Sequence, residues 1–278
     1  ALLCGCTASA TSEWMQDLFP VGVEAVAAQQ TGSVEDSTAE QEVKQVVTET
    51  YTALDAIGLA YQPDYGLQPY NCQSLNNRII FSFLYEPLFA VTDGYEAEPI
   101  LAESYLVTDD GKTTTVKLRS GVTFHDGTAM TAADAAYSIA SAMGSEYYGS
   151  RLRFIIEAQE QDELPLVLAT SEAYECLPLL LDIPIIKAGT KDDASPMGTG
   201  PYAFADTKLV RCQNWWQDSE PLADFDEIAL TISSTAADVR DNFEYQKVNM
   251  VLTVPNSSAF AGFHNDYEIW DEETTIMQ

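Results

Sequence analysis

The sequence predicts a mixed α+β body. Three observations carry that reading. Stretches with apolar residues at helical spacing are interleaved with short alternating strands. The two kinds follow one another without a strict β-α-β beat. Hydrophobic residues make up 46% of the chain and aromatics 10%, enough for a core. At roughly 100–200 residues per domain, 278 residues suit two domains or one large one.

The elements follow in order. Ala1 to Cys6 is small and apolar, and Leu3-Cys4-Gly5-Cys6 resembles a bacterial lipobox. On that reading Cys6 carries a diacylglyceryl group and residues 1–5 are the remnant of a signal peptide. A redox or metal pair, or chance, is the alternative. Residues 6–42, rich in Ala, Ser, Thr, Gln and Glu without periodicity, read as a flexible acidic tether from the lipid anchor. Glu42 to Tyr61 mixes β-branched residues with Leu, Ala and Ile, and ends at the turn cluster Gln62-Pro63-Asp64-Tyr65-Gly66. Leu75, Ile79, Ile80, Phe83 and Leu84 stand at near-helical spacing, stopped by Pro87. Asp109-Asp110-Gly111-Lys112 is a hairpin-type turn, and Thr114 to Arg119 alternates as a half-buried strand. Thr131 to Asp134 spells a capping box for a helix with Ala136, Ile139, Ala140 and Met143 as its apolar face. Leu164–Ala169, residues 228–232 and Val248–Thr253 read as strands, and Ala236–Tyr245 as a helix. Leu177 to Ile186 is an apolar run broken by Pro178 and Pro184.

Charge narrows the functions. With 43 Asp and Glu against 13 Lys and Arg, the net charge of −30 is repelled by phosphate backbones and anionic lipid surfaces, so no nucleic-acid partner is expected. No apolar run reaches 18 residues, so membrane contact is expected through the lipid anchor alone. Two His and five scattered Cys lack metal-ligand spacing, and no cofactor is expected. Gly198-Thr199-Gly200-Pro201-Tyr202 has no Lys-Ser or Lys-Thr pair after it and reads as a tight structural turn rather than a phosphate loop. His125-Asp126 puts an imidazole beside a carboxylate, but no nucleophile motif accompanies it and Asp126-Gly127 suits a turn. Trp215-Trp216 and Tyr147-Tyr148 suit ligand stacking or core packing.

Several segments fall into one familiar order. Leu84-Tyr85-Glu86-Pro87-Leu88-Phe89, Pro99 to Ser104, Asp109 to Gly111 and Val116 to Arg119 resemble the opening of the family 5 extracellular solute-binding proteins, the oligopeptide, dipeptide and nickel receptors of ABC importers. Gly121 to Gly127, Thr131 to Asp134, Ala136 to Ile139, Gly198 to Tyr202 and Val248 to Val251 continue the order. Asn214-Trp215-Trp216 looks like a shortened variant of that family's Asn-Pro-x-Tyr-Trp block.

The resemblance implies a periplasmic-binding-protein-like type II fold, two lobes closing on a ligand. By that likeness 43–83 and 170–278 form a discontinuous domain I and 84–169 form domain II. The second lobe, domain III, is missing, so a fragment is expected, one that binds weakly alone. The implied ligand contacts are Asn71, Cys72, Gln73, Ser74 and Leu75 from the loop before a helix, with Tyr148, and Tyr147 beside it, facing the cleft. The implied role is an extracytoplasmic, lipid-anchored monomer that captures a peptide or related small solute for ABC permease subunits, without catalysis. A sensory or adhesive lipoprotein of the same fold, or a secreted hydrolase using His125, is the rival.

Overall fold

The computed structural model describes residues 57–161, 163–217 and 225–251. Cys6, the tether and the last two residues of the expected strand at 248–253 lie outside the described residues. Two four-stranded sheets and a small ribbon organise what is described.

The first sheet runs β1 (Ile57–Tyr61), β10 (Glu227–Ile232), β9 (Lys208–Arg211), β8 (Tyr202–Ala205). β1 pairs parallel with β10, Ile57 opposite Ile228, and the other pairs are antiparallel. All five residues of β1 are buried. A continuous apolar strand without alternation is what a parallel position covered on both faces requires. On its free side β1 meets residues 249–250: Gly58 N–H donates to Asn249 Oδ1 at 2.7 Å, Asn249 N–H donates to Gly58 O at 2.8 Å, and Leu59 bridges Met250. A Cβ on Gly58 would lie 2.1 Å from Lys247 O, so only glycine admits this approach.

The second sheet runs β4 (Ala102–Val107), β5 (Thr113–Leu118), β7 (Pro165–Thr170), β6 (Ile155–Glu160), antiparallel throughout. The expected turn at 109–112 closes β4 onto β5: Gly111 takes φ +67° and Asp110 Oδ1 accepts from Lys112 N–H. Thr114, Val116 and Leu118 of β5 and Leu166, Leu168 and Thr170 of β7 are buried on one face, and α2 (Ala132–Met143) packs across β6 and β7. β2 (Phe89–Val91) and β3 (Ala97–Pro99) form the ribbon.

Helix α2 begins at the predicted cap, where Asp134 Oδ2 accepts from Thr131 N–H at 2.9 Å and Thr131 Oγ1 at 2.8 Å. Its buried face overlaps the expected one in part: Ile139 is buried and Ala136 and Met143 pack against the core, but Ala132, Ala135, Ser138 and Ala142 also turn inward, while Ala140 is exposed. The difference has a polar cause. Ser138 Oγ accepts from Ile186 N–H and Asp134 Oδ1 from Ala188 N–H, so two polar residues belong to the packed face. Helix α1 (Leu75–Leu84) contacts β1 and β8, with Phe83 edge-on to Tyr202 at 5.7 Å. After the short α3 (Gly149–Leu152), α4 (Ala236–Glu244) completes the set.

Candidate functional site

The loop before α1 is held by one buried amide. Asn77 Nδ2 donates to Gln62 O and Gly66 O, each at 2.8 Å, and its Oδ1 accepts from Gln62 N–H. Ser74 caps the helix, its Oγ accepting from Asn77 N–H at 3.1 Å and donating to Gln62 Oε1. The five loop residues therefore alternate. Asn71, Gln73 and Leu75 are exposed, whereas Cys72 and Ser74 are buried. The side chains of Cys72 and Ser74 point inward, so at those two positions any contact with a ligand would be made by the backbone. Burial pushes the Cys72 thiol up, against the pull of the nearby Arg78 charge.

The two expected tyrosines stand beside this loop. Tyr70 meets Tyr148 edge-on at 6.1 Å, Tyr148 meets Tyr147 at 4.8 Å, and the Arg78 guanidinium lies 3.6 Å from the centre of the Tyr147 ring. Tyr148 is 4% exposed and Tyr147 is 42% exposed. The exposed ring is therefore the one the resemblance ranks second. Behind Tyr148, Arg151 lies 5.0 Å from its ring and pairs with Asp182. Tyr70 Oη donates to Pro184 O at 2.8 Å, and burial pushes its phenol up. The structure thus brings the 71–75 loop and the tyrosine pair to one surface through Arg78. The lone charge of an otherwise uncharged helix was the sequence signal that could have singled out Arg78.

A second cluster lies where α1 ends. Gly200 N–H donates to Leu84 O at 3.0 Å, and Cβ atoms on Gly198 or Gly200 would fall 2.0 and 2.5 Å from the carbonyl oxygens of Leu84 and Phe83. Neither glycine has positive φ, so close approach rather than turn conformation demands them. His125 clamps the same segment, its backbone N–H donating to Gly198 O and its Nε2 lying 3.1 Å from Gly200 O. Burial pushes the imidazole down. Asp126 is committed elsewhere: Lys187 and Thr128 hold its carboxyl at about 2. No His–carboxylate dyad forms there.

Next to this segment the Glu86 carboxylate is buried. Its Oε2 accepts from Thr199 Oγ1 at 2.8 Å and Trp216 Nε1 at 2.7 Å, and its Oε1 from Gln217 Nε2 at 3.3 Å. Burial pushes it up to about 7, against those hydrogen bonds. A shallow cleft of about 270 Å³ opens above, lined by His125, Thr199, Gly200, Cys212 and Trp215 among others. Burial, then Glu86, raises the Cys212 thiol to about 11, which keeps it protonated and unreactive at neutral pH. Among the described residues no group of three or more His, Cys, Asp or Glu is placed to hold a metal ion.

The model of bacterial extracellular solute-binding proteins, family 5 Middle, matches residues 96–276. The chain belongs to this family. The family 5 proteins are substrate-binding receptors of ABC transporters rather than enzymes, and they work outside the cytoplasm. The glutathione-binding protein GsiB of Escherichia coli K12 is 28% identical over 177 residues, covering 57% of this chain and 34% of GsiB. The chain therefore spans about a third of the length of the curated relatives it matches. NikA from Brucella suis in complex with Fe(III)-EDTA superposes with a TM-score of 0.58 at 20% identity, over 69% of this chain and 42% of NikA. The oligopeptide-binding protein AppA from Bacillus subtilis, in complex with a nonapeptide, gives 0.55 at 18% over the same shares. The family 5 neighbours share the type II periplasmic-binding-protein-like fold that the resemblance implies. No helix among the described residues is long and apolar enough to cross a membrane.

Proposed function

We propose that this chain is part of an extracytoplasmic receptor that captures a peptide or related small solute and hands it to the permease of an ABC importer. The observation that carries the reading is the family match over residues 96–276. The names of relatives that bind glutathione or a nonapeptide support a peptide-like solute. In this reading 43–83 and 170–278 form domain I and 84–169 domain II. Cys6 carries the lipid, and the receptor acts as a monomer.

The mechanism is capture by closure. A solute bound on the surface of Asn71, Gln73, Leu75 and Tyr147 is enclosed as the two lobes of the full-length receptor come together, and the permease recognises the closed state. Enclosed peptide backbone needs hydrogen-bond partners, which the exposed amides of Asn71 and Gln73 offer directly or through water. The test is native mass spectrometry of the full-length gene product purified without refolding. A ladder of co-purifying peptides that exchanges with added peptide is expected. Turnover of bound peptide, abolished by His125→Ala, would overturn the reading.

A further inference from the structure

Helix α1 is covered on nearly all sides, and only Leu75, Arg78 and Ser82 escape burial. These positions, i, i+3 and i+7, make one narrow stripe. Arg78 is the only charged residue of the helix, so the single charge of α1 stands on its single open stripe.

Arg78 is also pre-oriented. Its guanidinium lies over Tyr147, which is braced against buried Tyr148. A guanidinium over an aromatic face keeps its five N–H donors radiating in its own plane, the fork that matches a carboxylate. No carboxylate of the described residues fills that fork. Ion pairs there use Lys117, Arg151, Lys187, Lys208 and Arg240. Arg119 and Arg153 also lie near aromatic rings without an ion pair among the described residues, but of these arginines it is Arg78 that stands on the open stripe of α1, next to the 71–75 loop. The charge also borders the loop, since it acts on the Cys72 thiol.

We propose that Arg78, seated on Tyr147, receives a carboxylate of the captured solute, so that the receptor selects ligands that present a carboxylate. The inference rests on the receptor reading above and names its ligand class. The net charge of −30 opposes an anion at long range, but screening confines that field to about 8 Å at physiological salt. Selection then falls to a short bidentate contact with a charged donor.

A peptide's terminal carboxylate and an acidic side chain share this chemistry, and the probes separate them. Calorimetric titration of the full-length gene product uses trialanine, trialanine amide, Ala-Glu-Ala amide and glutathione. The variants are Arg78→Met, which keeps the apolar stem over Tyr147, and Arg78→Lys. Circular dichroism and thermal unfolding confirm that each variant folds. Arg78→Met is expected to weaken the carboxylate-bearing probes by about 10- to 100-fold and to leave trialanine amide within twofold. Arg78→Lys is expected to recover part of the loss. Loss for trialanine alone assigns the terminal carboxylate, and loss for Ala-Glu-Ala amide the side chain. Binding of the probes unchanged in Arg78→Met, or weakened equally with and without a carboxylate, overturns the inference and leaves the receptor reading standing. Wild-type protein that binds none of the four overturns both.

Discussion

At the scale of single residues, two positions at the end of α1 carry the most. A methyl on Gly198 would stand 2.0 Å from the Leu84 carbonyl oxygen, a backbone atom with no side-chain freedom to yield. Gly198→Ala is expected to destabilise by about 1–3 kcal/mol in chemical denaturation, as overpacking does. Gly94→Ala, with nothing nearer than 3.6 Å and no positive φ, serves as the control and should stay within about 0.5 kcal/mol. Glu86 gives a pH dependence whose sign is fixed by its raised pKa. The folded state holds the proton more tightly, so its stabilising effect is full below its ordinary value of 4.5 and is lost as pH rises to about 7. The change is on the order of 3 kcal/mol. In Glu86→Gln the new carbonyl keeps the Thr199 and Trp216 donors, and a turned Gln217 amide presents its Oε1, unpaired in the wild type, to the new NH₂. Thermal unfolding between pH 4.5 and 8 should therefore show a flatter profile in Glu86→Gln than in wild type. Comparing the two cancels the other titrating groups, including His125. Neither the glycines' role nor the burial of Glu86 was legible in the sequence, because both depend on partners more than a hundred residues away.

At the scale of elements, local signals were readable and remote ones were not. The turn at 109–112, the cap at Thr131 and the strand alternation of β5 each depend on neighbours in sequence, and each is present. β6 escaped notice because only Ile155 of its six residues is buried, leaving no alternation to see. The expected face of α2 was right at Ile139, Ala136 and Met143 but took in exposed Ala140 and missed the inward Asp134 and Ser138. Asp134 shows why polar residues belong there. One carboxylate oxygen holds the helix start and the other accepts from Ala188 N–H at 2.9 Å, tying α2 to the apolar run that follows β7. Asp134→Ala should cost about 1–3 kcal/mol by leaving those donors unpaired, read as a lowered denaturant midpoint with unchanged slope. The candidate surface was half legible. The resemblance pointed to the loop and the tyrosines, while the α1 stripe that carries Arg78 emerges only once the helix is seen to be buried all round.

At the scale of the molecule, the two sheets differ in how far the chain must travel to build them. The second sheet is contiguous and antiparallel, assembled from residues 102–170. The first sheet joins the opening strand to one near the end of the described chain, Ile57 beside Ile228. Loop closure over that span delays the pairing. Pulse-labelled hydrogen exchange during refolding should protect the amides of β5 and β7 before those of β1 and β10. Simultaneous protection would refute a stepwise order.

That ordering matters most while the polypeptide is being made. β1 emerges from the ribosome well before β10, fully apolar and without its mate, and stays so until β10 has been synthesised. An orphaned apolar strand of this kind can associate with other chains throughout the interval before its mate arrives, the window in which transiently exposed apolar segments aggregate.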